Sequence, residues 1–282
     1  WDMLRDGTLP ASTFVELVAR NLAADEQVGV LQRLLMRAAS AVERYAAPGN
    51  RERLRTTLRE QARTALDDCE PGGDHQLAWF RHWASLSNDD ADLAVLEELL
   101  DGTEHFPGLR VDTDLRWAIV IALAHVGRAD EARITTELAR DDTDLGQRQA
   151  MTARAIRPDA ASKAWARGLL RDDADLSHTL ARQLWAGFSQ LDQEELAADY
   201  LPQFAADLDH VWATRTLDFA IEFAAGMFPH AAVDAGLLDA TDAILARPDL
   251  PKPLRRAMLE QRDTVVRTVR ARDLDEAEVG GA

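Results

Sequence analysis

Histidine binds zinc and transfers protons near neutral pH, so the seven histidines of this 282-residue chain are its first candidates for chemistry. Only His75 and His82 fall on one predicted helix, seven positions apart, where they could share a face. A catalytic zinc site needs a third protein ligand and a bound water, and the surrounding sequence supplies no obvious third ligand. We therefore interpret both histidines as surface or core-edge residues.

Paired aspartates are the second candidate, as metal ligands or as a general acid–base pair. They occur as Asp89-Asp90, Asp141-Asp142 and Asp172-Asp173. Each doublet lies at a predicted helix junction, where an aspartate accepts hydrogen bonds from free backbone N–H groups. A calcium loop would need more oxygen ligands at fixed spacing and a central glycine. We therefore predict helix capping by these doublets.

Arginines beside apolar stripes are the third candidate, as at Arg116, Arg148, Arg182 and Arg215. A guanidinium that faces a cavity could hold a carboxylate through two hydrogen bonds. The alternative is an ion pair with one of the many acidic residues. H-E-x-x-H, G-x-S-x-G and glycine-rich phosphate-binding motifs do not occur in the sequence. We predict no catalytic and no metal-binding residue in this chain.

A repeated phrase indicates the elements that position these residues. The pattern Asp-Asp-x-Asp-Leu occurs at 89–93, 141–145 and 172–176, each time between two segments with helical periodicity. Helix pairs are predicted to start near 114, 144, 175 and 210. Supersecondary units that return after about 30 residues are typical of stacked arrays. We therefore predict an all-α fold, a curved α–α superhelix of antiparallel helix pairs of the HEAT or armadillo type, with a concave face.

The sequence also predicts the limits of this array. We expect one helical-repeat domain over residues 1–272, with a joint near 70–74, and a disordered acidic tail over 273–282. One helix is expected to begin at Asp25 and another at His210. Trp117, Trp165 and Trp185 are expected to interlock with small residues of neighbouring helices.

Composition narrows the class of protein. The net charge is −17, which disfavours binding to nucleic acid. One cysteine excludes an intrachain disulfide, and no apolar run approaches the length of a membrane span. We expect a cytoplasmic protein with no nucleic-acid or membrane partner. Trp1 is an unusual first residue, so we also expect a piece of a longer protein.

An ordered set of short segments resembles a known domain. The segments Asp114-Leu115-Arg116-Trp117 and Gly127-Arg128-Ala129-Asp130 flank an alanine-rich helix, and Gly187-Phe188-Ser189-Gln190 is similar to a Gly-Phe-Trp-Gln segment except at Ser189. The further matching positions are Trp1-Asp2-Met3, Val30-Leu31-Gln32, Tyr45-Ala46, Leu138-Ala139-Arg140-Asp141, Asp144, Gln193-Glu194-Glu195-Leu196, Tyr200, Phe204, Trp212, Arg215 and Phe228-Pro229. Together they resemble the C-terminal helical domain of the zinc-dependent aminopeptidase N family, and actinobacterial members most.

The resemblance implies a division of labour. In that family a separate domain carries the zinc and the catalytic motif, so this chain is expected to be inactive alone and to hold no cofactor. Its implied partners are the catalytic domain of the same polypeptide and a peptide substrate. Its implied role is to cap the active-site chamber and to gate or contact peptides. The expected peptide contacts are Arg182, Phe188, Gln190 and Arg215. The alternative is an independent helical-repeat scaffold for protein–protein interaction.

Overall fold

The chain is helical in a computed structural model that describes residues 1–22 and 27–280, with the backbone alone at 234, 235, 279 and 280. Within those residues it forms helices and connecting turns and no β-strand, which confirms the predicted all-α class. None of the helices in this described part is long and apolar enough to cross a membrane. The predicted helix start at Asp25 lies outside the described residues.

The chain divides into two compact units, and the divisions fall within α7 and α15. The first unit contains residues 1–123 and the segment from 267 onward. The predicted joint near 70–74 lies inside this unit. Its helices are α1 (Asp2–Arg5), α2 (Ala11–Asn21), α3 (Val28–Ser40) with a π-helical turn (Ala41–Tyr45), α4 (Pro48–Asp68), α5 (Asp74–Leu86), α6 (Asp90–Asp101) and most of α7 (Thr113–His125).

The second unit, residues 124–266, has the layout expected of stacked helix pairs. In one row α9 packs on α11 and α11 on α13, and in the other α10 packs on α12 and α12 on α14. Its helices are α8 (Glu131–Arg140), α9 (Asp144–Ile156), α10 (Ala160–Asp172), α11 (His178–Phe188), α12 (Glu194–Thr214), α13 (Leu217–Gly226), a 3-10 helix (His230–Ala235), α14 (Leu237–Leu245) and the first part of α15 (Lys252–Gly280).

The acidic doublets mark helix junctions, but only one of them provides the predicted cap. The Asp89 carboxylate accepts a hydrogen bond from the Asp92 N–H at 2.9 Å. At the next two junctions the caps are hydroxyls, because Thr143 Oγ1 accepts from Gly146 N–H at 3.1 Å and Ser177 Oγ accepts from Leu180 N–H at 3.3 Å. The prediction that the later doublets cap helices is therefore wrong.

Two predicted helix ends are also wrong. Helix α12 continues through His210 to Thr214, and Thr216 caps the following helix by accepting from Phe219 N–H at 3.4 Å. Helix α15 continues past the predicted end at Arg272 to Gly280, so residues 273–280 are helical, and the last two residues of the predicted acidic tail lie outside the described part. The reason lies at Asp275, which is fully buried in the first unit.

Asp275 holds the starts of two other helices. Its carboxylate accepts hydrogen bonds from Ser12 N–H at 2.6 Å and from Ala47 N–H at 2.9 Å. The Asn50 amide donates to the same carboxylate at 2.8 Å. A negative charge at the N-termini of α2 and α4 is favoured by both helix dipoles. This contact gives the tail a folded position that the acidic composition alone did not indicate.

The tryptophans follow the predicted interlocking with one exception. Trp117 and Trp185 are buried, whereas Trp165 is 37% exposed. Trp165 borders a shallow depression whose other walls are charged, with Arg154, Arg157 and Asp159. The prediction is therefore wrong for Trp165. The helical spacing of Trp165 on α10 favoured a packed position, but that spacing does not show whether another element covers the neighbouring surface.

Candidate functional site at the end of helix 11

Two of the predicted contacts, Phe188 and Gln190, follow a close approach of two helices at Gly187. A Cβ atom at Gly187 would lie 2.7 Å from the Ala155 Cβ and 2.7 Å from the Thr152 carbonyl oxygen. Glycine therefore lets α11 pack directly on α9, and it fixes the position of the turn that follows. Ser189, where the family resemblance departs, donates a hydrogen bond to the Gly226 carbonyl at 2.5 Å.

A lysine that the sequence did not single out holds this turn. The Lys163 ammonium, on α10, donates to the Ala155 carbonyl at 2.8 Å, to Gly187 at 3.1 Å and to Phe188 at 3.3 Å. These carbonyls belong to the last turns of α9 and α11, where a cation is favoured. Burial lowers the pKa of Lys163 to about 8, although nearby Asp192 and Asp159 oppose that effect.

Two glutamines satisfy further carbonyls around the turn. Gln190 donates to the Gly187 carbonyl at 3.2 Å. Gln193 donates to the Ile156 carbonyl at 2.8 Å. The carbonyl ends of α9 and α11 thus receive donors from one lysine and two amides, which positions the side chains of 188–193 relative to the helices.

Phe188 borders two cavities in this unit. The smaller, of about 20 Å³, is bordered by Phe188, Gln190 and Pro229, and the larger, of about 120 Å³, by Phe188, Arg167 and Gln203. The Phe188 ring packs edge-on against Tyr200, with 5.1 Å between ring centroids. The smaller cavity has room for about one water molecule. The larger one, which is open to solvent, can accept a small side chain.

Arg182 lies earlier on α11, and Arg215 lies in the turn between α12 and α13. Arg182 is exposed and donates to the Glu222 carboxylate at 2.7 Å. Arg215 donates to the carbonyls of Asp173 and Leu176, the latter at 3.1 Å, and its guanidinium lies 3.7 Å from the Phe219 ring centroid. The structure therefore brings Phe188 and Gln190 together, whereas neither arginine is among the residues described around those cavities.

Beside the larger cavity, two partly exposed arginines surround a buried carboxylate, an ion group that sequence reasoning missed. Asp207 is 1% exposed and accepts hydrogen bonds from Arg167 at 2.5 and 2.7 Å, with the Arg171 Nε at 3.1 Å. Burial, together with the Asp207 charge, raises the pKa of Tyr200 well above its usual value. Arg167 and Arg171 are four positions apart on one helix face. That spacing is the signal that could have indicated a shared acidic partner on a neighbouring helix.

The histidine candidates do not form a site. His82 is buried, and burial lowers its pKa to about 4, so its ring is neutral at pH 7. Within the described residues, no three His, Cys, Asp or Glu side chains come together in a way that could hold a metal ion.

Comparison with known proteins defines the class. The family described as "ERAP1-like C-terminal domain" matches residues 1–267, so the chain belongs to that family. Among curated proteins, Aminopeptidase N of Streptomyces lividans is 40% identical over 277 residues. That match covers 98% of this chain but 32% of the relative, so the chain spans about a third of that protein's length. The predicted resemblance to the aminopeptidase N family is thereby confirmed.

The zinc implied by that family does not fit the residues that the structure describes. Among the residues that the structure describes there is no cluster of ligands for it, and His82 is buried. We therefore assign no step of zinc chemistry to these residues.

Proposed function

We propose that this chain is the non-catalytic C-terminal domain of a zinc aminopeptidase, where it caps the active-site chamber and gates or contacts peptide substrates. The observation that carries the proposal is the match over 98% of the chain to one third of a curated aminopeptidase N. An independent scaffold is less well supported, because that match continues through the whole chain. The partners in this proposal are the catalytic domain of the same polypeptide and a peptide. A cytoplasmic location stays a prediction.

The larger cavity supports peptide contact near Phe188. Its walls combine the Phe188 and Tyr200 rings with the amide of Gln203, a mixture that suits a peptide side chain and its backbone. Gln190 holds the turn next to it. Arg182 and Arg215 stay candidate contacts, although both guanidinium groups already have partners in the protein.

The peptide-contact role is testable in the full-length parent enzyme with Phe188→Ala. We expect this variant to raise KM for peptides of several residues by about three- to tenfold, because a contact made equally in the ground state and transition state affects KM more than kcat. KM for a single aminoacyl anilide, which is too short to reach beyond the catalytic centre, should stay unchanged. Leu217→Ala, at an exposed apolar residue elsewhere in this unit, is the control.

An equal rise in KM for both substrates, or a fall in kcat alone, would show that Phe188 acts through the fold rather than through peptide contact. Thermal unfolding of each variant separates these outcomes from simple loss of the folded protein.

A further inference from the structure

The exposed large apolar side chains of the first unit are concentrated near its start. Among the described residues of that unit they are Met3, Leu17, Val30 and Met36, with 58%, 57%, 39% and 65% exposure. All four lie on α1, α2 and α3. Scattered exposed apolar residues are ordinary, but a group on adjoining helices suggests a surface that is covered in the complete protein.

Helix geometry places Leu17 and Val30 of this group on one face. On α2, Leu17 is three positions from Phe14 and lies on the same side of the helix as Phe14. On α3, Val30 is seven positions and Leu34 three positions from Arg37, so both lie on the same side of the helix as Arg37. Phe14 and Arg37 both contact Trp1, at 5.8 Å between ring centroids and at 5.4 Å from guanidinium to ring. We define the α1–α3 face as Trp1, Leu17, Val30 and Leu34. Met36 points to the other flank of α3.

The first residue of the chain is held firmly at this face. The Trp1 ring also packs edge-on against Tyr45, at 5.9 Å between centroids. Its backbone carbonyl accepts a hydrogen bond from Arg5 N–H at 3.0 Å. A polypeptide that continues from Trp1 in the N-terminal direction would therefore leave from a fixed point on the α1–α3 face rather than from a loose tether.

The charge of the first part of the chain is a second indication of a docking surface. Residues 1–63 contain ten arginines and eight acidic residues, whereas residues 64–282 contain 22 basic and 41 acidic residues. This first segment is thus slightly basic in a strongly acidic chain. Arg33 is exposed on α3, and Arg20, which pairs with Glu16 at 3.3 Å, is exposed on α2. A partner with acidic groups at the edge of an apolar patch would fit here.

We propose that the α1–α3 face is the surface on which the part of the parent polypeptide that precedes Trp1 docks, through an apolar patch with an acidic rim. This inference rests on the proposed function, since it takes the chain to be the C-terminal third of a longer aminopeptidase. The occupant is argued from the 32% of the relative that the chain spans and from the family's C-terminal placement. A second copy of the chain would bring the same basic residues to the contact and is disfavoured.

Cysteine labelling of the folded parent tests this directly. Leu17→Cys, Val30→Cys and Met36→Cys are made in the parent enzyme and in the 282-residue chain, and reaction with a maleimide is followed by mass spectrometry of each peptide. Positions 17 and 30 should react about tenfold more slowly in the parent than in the chain, because an interface core excludes water. Position 36, the matched control on the same helix, should show a smaller difference. An equal ratio at all three positions would overturn the proposal.

A second measurement does not depend on cysteine. The double variant Leu17→Gln/Val30→Gln should lower the unfolding temperature of the parent but leave that of the 282-residue chain unchanged, because both side chains are exposed in the chain. Met36→Gln should change neither. An equal shift in parent and chain would also contradict docking at this face. Neither experiment measures peptide cleavage. A parent without aminopeptidase activity would therefore reject the proposed function, whereas the two experiments would still show whether the α1–α3 face is a docking surface.

Discussion

At the scale of single residues, two buried charges with opposite signs hold helix ends in place. Lys163 donates to the carbonyl ends of α9 and α11, and Asp275 accepts from the amide ends of α2 and α4. Each charge lies where the helix dipoles favour its sign. Both residues hold helix ends in position, and each belongs to a different compact unit.

Lys163→Met tests the first of these charges. At pH 7 we expect a loss of stability of about 2 kcal/mol, because the substitution leaves buried carbonyls without a donor. The chain has only one other lysine, the exposed Lys252, and Lys252→Met is the matched control. Urea unfolding at fixed pH gives both free energies.

The same pair of variants predicts a pH dependence. The folded pKa of Lys163 is about 8, below the value of about 10.4 expected in the unfolded chain. Between these values the unfolded state binds more protons, so the Lys163 contribution to stability rises with pH. The difference between wild type and Lys163→Met should therefore widen above pH 8. A difference that stays constant or narrows up to pH 10 would contradict the assigned pKa.

Asp275→Asn tests the second charge. We expect a loss of about 2–4 kcal/mol, because an amide offers one acceptor oxygen where the carboxylate serves three donors. Asp273→Asn, at an exposed position on the same helix, should have little effect. Hydrogen exchange should show faster opening at the starts of α2 and α4 in Asp275→Asn alone. Equal stability of the two variants would mean that Asp275 does not hold these helices.

At the scale of elements, close helix packing depends on glycine at position 187 but not at position 168. Gly187 meets α9, whereas a Cβ at Gly168, within α10, would meet no atom within 4 Å. The two positions share a helical backbone in the second unit. Substitutions at these two positions therefore separate the destabilisation caused by a steric clash from the stabilisation expected when another residue replaces glycine in a helix.

Gly187→Ala should destabilise the protein by about 1–3 kcal/mol, because α11 must move away from α9. Gly168→Ala should stabilise it by about 0.5–1 kcal/mol, since alanine favours the helix. Thermal unfolding of both variants checks the signs. Stabilisation by both would show that α9 and α11 have room for a methyl group.

The helices themselves could be predicted, because apolar periodicity and the repeated Asp-Asp-x-Asp-Leu phrase are local signals. The site could be predicted only in part. Phe188 and Gln190 were expected because charged or amide groups lie beside a Gly-Phe turn between stacked helices, and their contact with a peptide stays a prediction. Lys163, Asp207 and Asp275 were missed because their partners are distant in sequence. An isolated lysine or aspartate on a helix resembles an ordinary surface charge until the neighbouring helix is known. The same reason explains why the sequence did not indicate that Asp275 holds the starts of α2 and α4, or that Arg215 binds backbone carbonyls.

At the scale of the whole molecule, the chain is a C-terminal domain of an aminopeptidase N-like protein and spans about a third of its relative. The described residues provide positioned cations, amides and aromatic rings, and no ligand set for zinc among them. Under the proposed function the chemistry is supplied by the part of the parent that lies outside this chain. The residues of this chain then contribute walls of the active-site chamber, contacts with the peptide and the α1–α3 face for docking.

The most direct test of that claim is the zinc content and aminopeptidase activity of the purified 282-residue chain, measured beside the full-length parent at equal concentration. The account predicts that the parent binds zinc and releases N-terminal residues from peptides, and that the chain alone does neither. Stoichiometric zinc together with peptide cleavage by the purified chain would contradict it, as would a zinc-free parent that cleaves no peptide.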